Sequence, residues 1–217
     1  MTGPNRVVKI IPYYGTWPPY INLFLKSCQA NINSIDVLFI TNLERPERAP
    51  SNVKIHYLSF QDLLSLIRQK TGVNIPTIEH YKLCDIHPAY GQIFEELIAD
   101  YEFWGYGDID LVYGNLERLF LPKLKGYDIL AFKKGHLHGP FTFYRNTPKI
   151  NKLYQNGNFE EVWMQKEYLS YDEFSTQPFY THIKSEEELV DLPNNNISVI
   201  AFKEQLKGNL NAFNDQL

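Results

Sequence analysis

The sequence predicts an α/β fold in one domain, with a mixed, mostly parallel sheet flanked by helices. Three observations predict it. Through the first half of the chain, short apolar runs rich in β-branched residues alternate with segments of helical periodicity, the pattern of strands joined by crossover helices. An apolar and aromatic run containing Phe103, Trp104 and Tyr106 leads straight into two aspartates one residue apart, Asp108 and Asp110. The 217 residues suffice for one substantial core.

Taken in order, residues 7–12 (VVKIIP) form a first buried strand, and Tyr13, Tyr14 and Gly15 open the loop after it. Ile21, Phe24, Leu25 and Cys28 recur at helical spacing and predict a helix over 20–30. Residues 35–41 are a second strand, the proline-bearing stretch 42–52 a loop, and 53–58 a third strand. Ser59 with Asp62 resembles a capping signal for a helix to about residue 70. Strand-helix passages in succession indicate a parallel, partly doubly wound sheet, whose ligands collect at the carboxyl ends of the strands. A linker over 71–78 follows. Pro88 then marks the start of a helix through Ile93, Phe94, Leu97 and Ile98, which returns the chain to a strand ending at Asp108. Beyond it the pattern predicts one helical turn at 116–121 and strands at 127–132 and 138–145. Helices follow from Thr147 and over 160–169, then a late strand at 197–202 and a loose polar tail. The chain shows no internal repeat, no low-complexity tract and no second domain.

Composition narrows the function classes. A net charge of −4 and no basic stripe argue against general nucleic-acid binding. Cys28 and Cys84 lack metal-ligand spacing and are too few for a disulfide framework, so a reducing cytoplasm is expected. Every apolar run is far shorter than the ~20 residues a membrane span needs, and the N-terminus has no signal-peptide pattern. Lys123, Lys125, Lys133 and Lys134 allow peripheral attachment to the inner face of a membrane, although a solvated face is their ordinary role.

The aspartate pair carries the chemistry. On a strand, Asp108 and Asp110 point to one face and Ile109 to the other. At ~6 to 7 Å and an effective dielectric of about 20, their repulsion is roughly 2 to 3 kcal/mol, which a cation relieves. Carboxylate oxygens suit Mg²⁺ or Mn²⁺, especially when substrate phosphates complete the shell. Gly105, Gly107 and Gly114 frame the pair and permit close approach of a ligand. An isolated Asp-x-Asp is more often a solvated turn; here the aromatic run sets it at the exit of a core strand.

These features together resemble glycosyltransferases of the GT-A fold, with a Rossmann-like sheet: a first strand with an aromatic-glycine loop, Lys82-x-x-Asp85 leading a helix, and a strand delivering Asp-x-Asp. More narrowly, YKLCDIHPAYG (81–91), FWGYGDIDLVYGNL (103–116) and HGPFTFYRN (138–146) are similar to a family of bacterial glycosyltransferases of polysaccharide synthesis. The likeness covers roughly residues 7–174. It implies a nucleotide-binding half at 1–110 and an acceptor-side half at 111–217. The implied reaction moves a sugar from a nucleoside diphosphate sugar to a glycan or lipid-linked acceptor, with Mn²⁺ or Mg²⁺ as cofactor. Asp110 would hold the metal, and Asp108 the metal shell or the ribose. Pro12, Tyr13 and Tyr14 would stack the base, and Thr41 and Asn42 would contact base or ribose. Lys82 would meet the diphosphate or base, with Asp85 orienting it or binding the nucleoside. Such enzymes commonly draw a further metal ligand, often histidine, from a C-terminal segment, for which His138 or His182 would substitute here; a surface or core histidine is the plain alternative for each. On the acceptor side, His138-Gly139 and Asp172-Glu173 are the candidates, and Asp172 would accept the hydroxyl proton if configuration inverts. Retention needs no such base. The plain alternatives are a surface ion pair for Lys82 and Asp85 and a helix cap for Asp172.

Two other readings stay open. The stretch from Asp108 to Val112 also fits the Asp-x-Asp-x-Val/Thr signature of haloacid-dehalogenase-type phosphatases, with Asp108 as nucleophile. That signature belongs near the start of such a domain, and no downstream lysine and paired-aspartate motifs accompany it here. The other is a non-catalytic sugar-binding module with tyrosine platforms and calcium-binding aspartates.

Overall fold

The strands are β1 (Val7–Pro12), β2 (Asp36–Thr41), β3 (Val53–Tyr57), β4 (Phe103–Tyr106), β5 (Ile129–Ala131) and β6 (Thr142–Arg145). In the computed structural model, which describes residues 6–76, 79–131, 137–174, 188 and 190–212, they form one sheet in the order β3-β2-β1-β4-β6-β5. β1 pairs in parallel with both β2 and β4, and β2 with β3. β6 runs antiparallel to its neighbours β4 and β5. The sheet is therefore mixed and mostly parallel.

Local chemistry explains the first half. Helix α1 (Ile21–Ala30) crosses from β1 to β2 and buries Ile21, Phe24, Leu25 and Cys28. No helix joins β2 to β3. The loop between them is tied instead by Arg45, whose guanidinium donates to the carbonyls of Val53 (2.6 Å), Pro50 (2.9 Å) and Ala49 (3.1 Å). Helix α2 (Phe60–Thr71) begins where Ser59 Oγ accepts from the Asp62 amide, as the capping signal predicts. From α2 the chain passes to β4 on the opposite side of β1, so the strand order reverses between β1 and β4.

Side chains alternate across the sheet and divide the core. Val8, Ile10, Leu38, Ile40, Trp104, Tyr106 and Tyr144 pack on one face; Val7, Ile11, Val37, Phe39, Phe103 and Phe143 pack on the other. Lys9 belongs by position to the second face, where it is fully buried.

Several expected elements are corrected. Residues 197–202 are not a strand but the start of helix α8 (Ile197–Leu206), because Asn196 Oδ1 accepts from the Val199 amide and caps it. A short apolar run without alternation suits a buried helix as well as a buried strand. The helix expected from Pro88 is a 3-10 helix (His80–Ala89) that contains Pro88, followed by the single turn α3 (Tyr90–Ile93). β4 ends at Tyr106, so Asp108 and Asp110 lie on the loop beyond it. The expected turn at 116–121 is two, α4 (Leu116–Leu119) and α5 (Leu121–Leu124). After α6 (Pro148–Asn151), capped by Thr147, the chain winds into a 3-10 turn (Leu153–Asn156). Helix α7 (Phe159–Met164) stops short of residue 169. Part of the tail is tied down: the Asn211 amide donates to Asp128 Oδ2 at 2.9 Å, and Ala212 bridges to Ile129. Among the described residues no helix is long and apolar enough to cross a membrane.

Candidate functional site

The carboxyl ends of β1 and β4 lie side by side where the strand order reverses, the position at which open α/β sheets leave a crevice. A cavity of about 570 Å³ opens there. Its first wall is the end of β1 and the loop after it. Tyr13 stacks on Trp17 with centroids 5.1 Å apart and planes 4° apart. Tyr14 packs edge-on against Phe60, and its buried hydroxyl has no hydrogen-bond partner among the described residues.

The loop from Gly107 to Asp110 forms the floor. Ile109 is buried, whereas Asp108 is half-buried and Asp110 exposed, so the expected alternation survives although the strand has ended. Gly107 has φ +151°, and a Cβ there would lie 1.8 Å from the Pro140 carbonyl oxygen and 2.6 Å from Lys9 Nζ. Only glycine lets the three segments meet. Lys9 Nζ donates to the carbonyls of Pro140 (3.2 Å) and Asp108 (3.4 Å) and lies over the rings of Tyr113 and Phe141. Burial pulls its ammonium down to about 7, against the opposing pull of Asp108, Cys28 and Asp110.

The far wall joins two distant stretches. His87, from the 3-10 helix, has Nδ1 2.9 Å from Asp172 Oδ2. The Tyr168 hydroxyl donates to Asp172 Oδ1 (2.9 Å), and the Tyr106 hydroxyl donates to the Asp172 carbonyl oxygen (2.7 Å). Burial raises the Asp172 carboxyl above its ordinary range, against the hydrogen bonds from His87 and Tyr168 that hold it down. Glu173 accepts from the Gly139 amide at 3.2 Å, and a Cβ on Gly139 would sit 3.1 Å from both Asp172 Oδ2 and Glu173 Oε2. Asp172 is thus not a helix cap.

The cavity brings together Pro12, Tyr13, Tyr14, Asp108, Asp110, His138 and Asp172 of the predicted residues, but not Thr41, Asn42, Lys82 or Asp85. Thr41 is wholly buried, with Oγ1 accepting from the Leu43 amide, and Asn42 is exposed. Lys82 and Asp85 form a buried pair at 2.7 Å, neither a surface pair nor part of the cavity wall. Lys82 Nζ also donates to the carbonyls of Val162 (2.8 Å) and Glu167 (2.7 Å), which fills its three donor positions. Asp85 accepts from the amides of Leu169 (2.9 Å) and Tyr171 (2.7 Å). His182, Lys133 and Lys134 lie outside the described residues. Among the described residues no three His, Cys, Asp or Glu side chains cluster as metal ligands.

The model of a family described as "Family of unknown function (DUF6625)" matches residues 9–209. The chain belongs to that family. No curated protein and no solved structure matches it. The DUF6625 match spans every residue that lines the cavity. Lys9 and His87 were missed by sequence reasoning. Lys9 had a signal, a lone charge inside an apolar strand run; His87 had none beyond its place before a proline.

Proposed function

We propose that the protein is a GT-A-like glycosyltransferase that moves a sugar from a nucleoside diphosphate sugar to a glycan or lipid-linked acceptor with the help of a divalent cation. One observation carries the reading: two carboxylates, Asp108 and Asp110, share a crevice with an aromatic wall at the point where the strand order reverses. Two exposed or half-exposed carboxylates, with no cluster of three ligands among the described residues, fit Mg²⁺ or Mn²⁺ in the form that keeps several positions for water and phosphate oxygens. Such an ion, when bound, supplies positive charge where the diphosphate leaves.

The chain's own groups do the rest. Tyr13, held flat by Trp17, offers a face for the base. Tyr14 brings a hydroxyl without a partner among the described residues. Lys9 ties the carbonyl of Asp108 to the loop at Pro140 and so holds the floor against the opposite wall. Gly139 and Glu173 shape the side from which an acceptor sugar approaches.

Thermal melts with UDP, GDP and their sugars, each with and without Mn²⁺, test the proposal. A ligand at 100 times its dissociation constant stabilises the fold by about 2.7 kcal/mol. Stabilisation by one nucleotide class that needs Mn²⁺ is expected; no stabilisation by any of them overturns the reading.

A further inference from the structure

The opposite wall of the cavity holds a histidine arranged as a proton acceptor. His87 Nδ1 is 2.9 Å from Asp172 Oδ2. With Asp172 ionised and the ring neutral, Nδ1 donates to Oδ2 and Nε2 keeps its lone pair. Nε2 has no partner among the described residues, and the ring lines the cavity. Asp172 and two tyrosines hold the ring's orientation. Tyr106 stacks on it at 4.6 Å, Tyr90 meets it edge-on at 5.2 Å, and the Tyr106 hydroxyl also fixes the Asp172 backbone. Asp172 itself is poorly placed to take a proton from substrate. It is buried, with one oxygen engaged by Tyr168 and the other by His87.

We propose that His87 is the general base of the transfer and that Asp172 is its positioning residue. The inference rests on the glycosyltransferase reading and deepens it. The acceptor oxygen forms its bond to the anomeric carbon as the bond from that carbon to the diphosphate oxygen breaks. The electron pair leaves with the nucleoside diphosphate, the hydroxyl proton passes to His87 Nε2, and from there it goes to solvent. A single displacement of this kind inverts the configuration at the anomeric carbon. Histidine suits the task because it exchanges protons near neutral pH. The ionisable groups that face the pair are Glu173, Tyr168, Tyr106, Tyr90, Tyr144, Tyr81 and Cys84. Burial keeps the five hydroxyls and the thiol protonated.

The test uses the full chain with UDP- and GDP-sugars and Mn²⁺, and follows release of the nucleoside diphosphate. His87→Gln and His87→Ala are expected to keep the wild-type nucleotide-dependent melting shift while turnover falls roughly a hundredfold or more. Added imidazole is expected to restore part of the turnover of His87→Ala, which a merely structural role would not allow. Nitrogen NMR of the wild-type imidazole is expected to show a protonated Nδ1 and a bare Nε2, and Asp172→Asn to disturb that tautomer and lower turnover without weakening nucleotide binding. Undiminished turnover in His87→Gln, or a protonated Nε2 in the neutral wild-type ring, overturns the base assignment and leaves the glycosyltransferase reading standing. Loss of the nucleotide-dependent shift in both His87 variants reassigns the residue to donor binding. If no nucleotide sugar stabilises or is turned over by the wild type, reading and inference fall together.

Discussion

Lys9 lies directly beneath Asp108: its Nζ is 3.4 Å from the Asp108 carbonyl oxygen, across 99 positions of sequence. A buried lysine amino group thus ties down the loop that carries both carboxylates, and it does so from the first strand of the chain.

That support has a pH signature. The Lys9 ammonium is depressed to about 7 in the folded protein from 10.5. Above 10.5 it is neutral in both states, and between about 7 and 10.5 the unfolded chain binds the extra proton, so stability rises with pH across that window and its Lys9 share is lost as pH falls through 7. With a chelator present, the gain from pH 7 to 9 is expected to be about 2 kcal/mol larger in the wild type than in Lys9→Met. Urea melts at both pH values measure it, and equal gains in the two proteins count against a depressed Lys9.

Asp110 is exposed and its carboxylate is not needed by the core. Asp110→Asn is therefore expected to leave metal-free stability unchanged or slightly raised, while the Mn²⁺-dependent shift by a nucleoside diphosphate disappears. Melting curves of the variant with and without Mn²⁺ check this, and a full Mn²⁺-dependent shift refutes the metal assignment.

Lys82 has moved from a candidate phosphate contact to a structural cation. Its removal leaves Asp85 charged and buried. Lys82→Ala is expected to cost about 3 to 5 kcal/mol of folding free energy. Denaturant titration reads the cost; a loss below about 1 kcal/mol would return the pair to the weak surface class.

Gly107→Ala forces a methyl group into the Pro140 carbonyl at 1.8 Å and onto Lys9. About 3 kcal/mol or more of destabilisation is expected, because backbone must move. The same variant is expected to lose nucleotide binding before it loses its fold, which circular dichroism and ligand-dependent melting separate. Near-wild-type stability would mean that the loop relaxes freely.

The first half of the fold was legible because its signals are local. The runs of β1, β2 and β3, the spacing of α1 and the Ser59 cap each sit within a dozen residues. The place of Asp108 and Asp110 just after the aromatic run of β4 was legible for the same reason, although they lie on the loop and not on the strand. The far wall was not. His87 and Asp172 are 85 positions apart, and no spacing announces their contact. Lys82 and Asp85 looked like a charged pair at a helix entrance, since the carbonyls and amides that bury them come from residues 162 to 171. In α8 an apolar run read as a strand is a helix, decided by the Asn196 cap and by burial among partners that local periodicity does not reveal.

The buried pair of Lys82 and Asp85 also sets a timetable for the ribosome. Its carbonyl partners lie 80 and 85 residues downstream. At 5 to 20 residues per second, roughly 4 to 17 s pass between synthesis of Lys82 and of those partners. Throughout that interval the two charges lack the backbone carbonyls that receive Lys82 in the folded chain. The parallel half of the sheet is complete by β4, while the crevice beside it still lacks a wall. A nascent chain released early would hold the Asp108 loop but no His87–Asp172 pair, and it would emerge as a scaffold without its second wall.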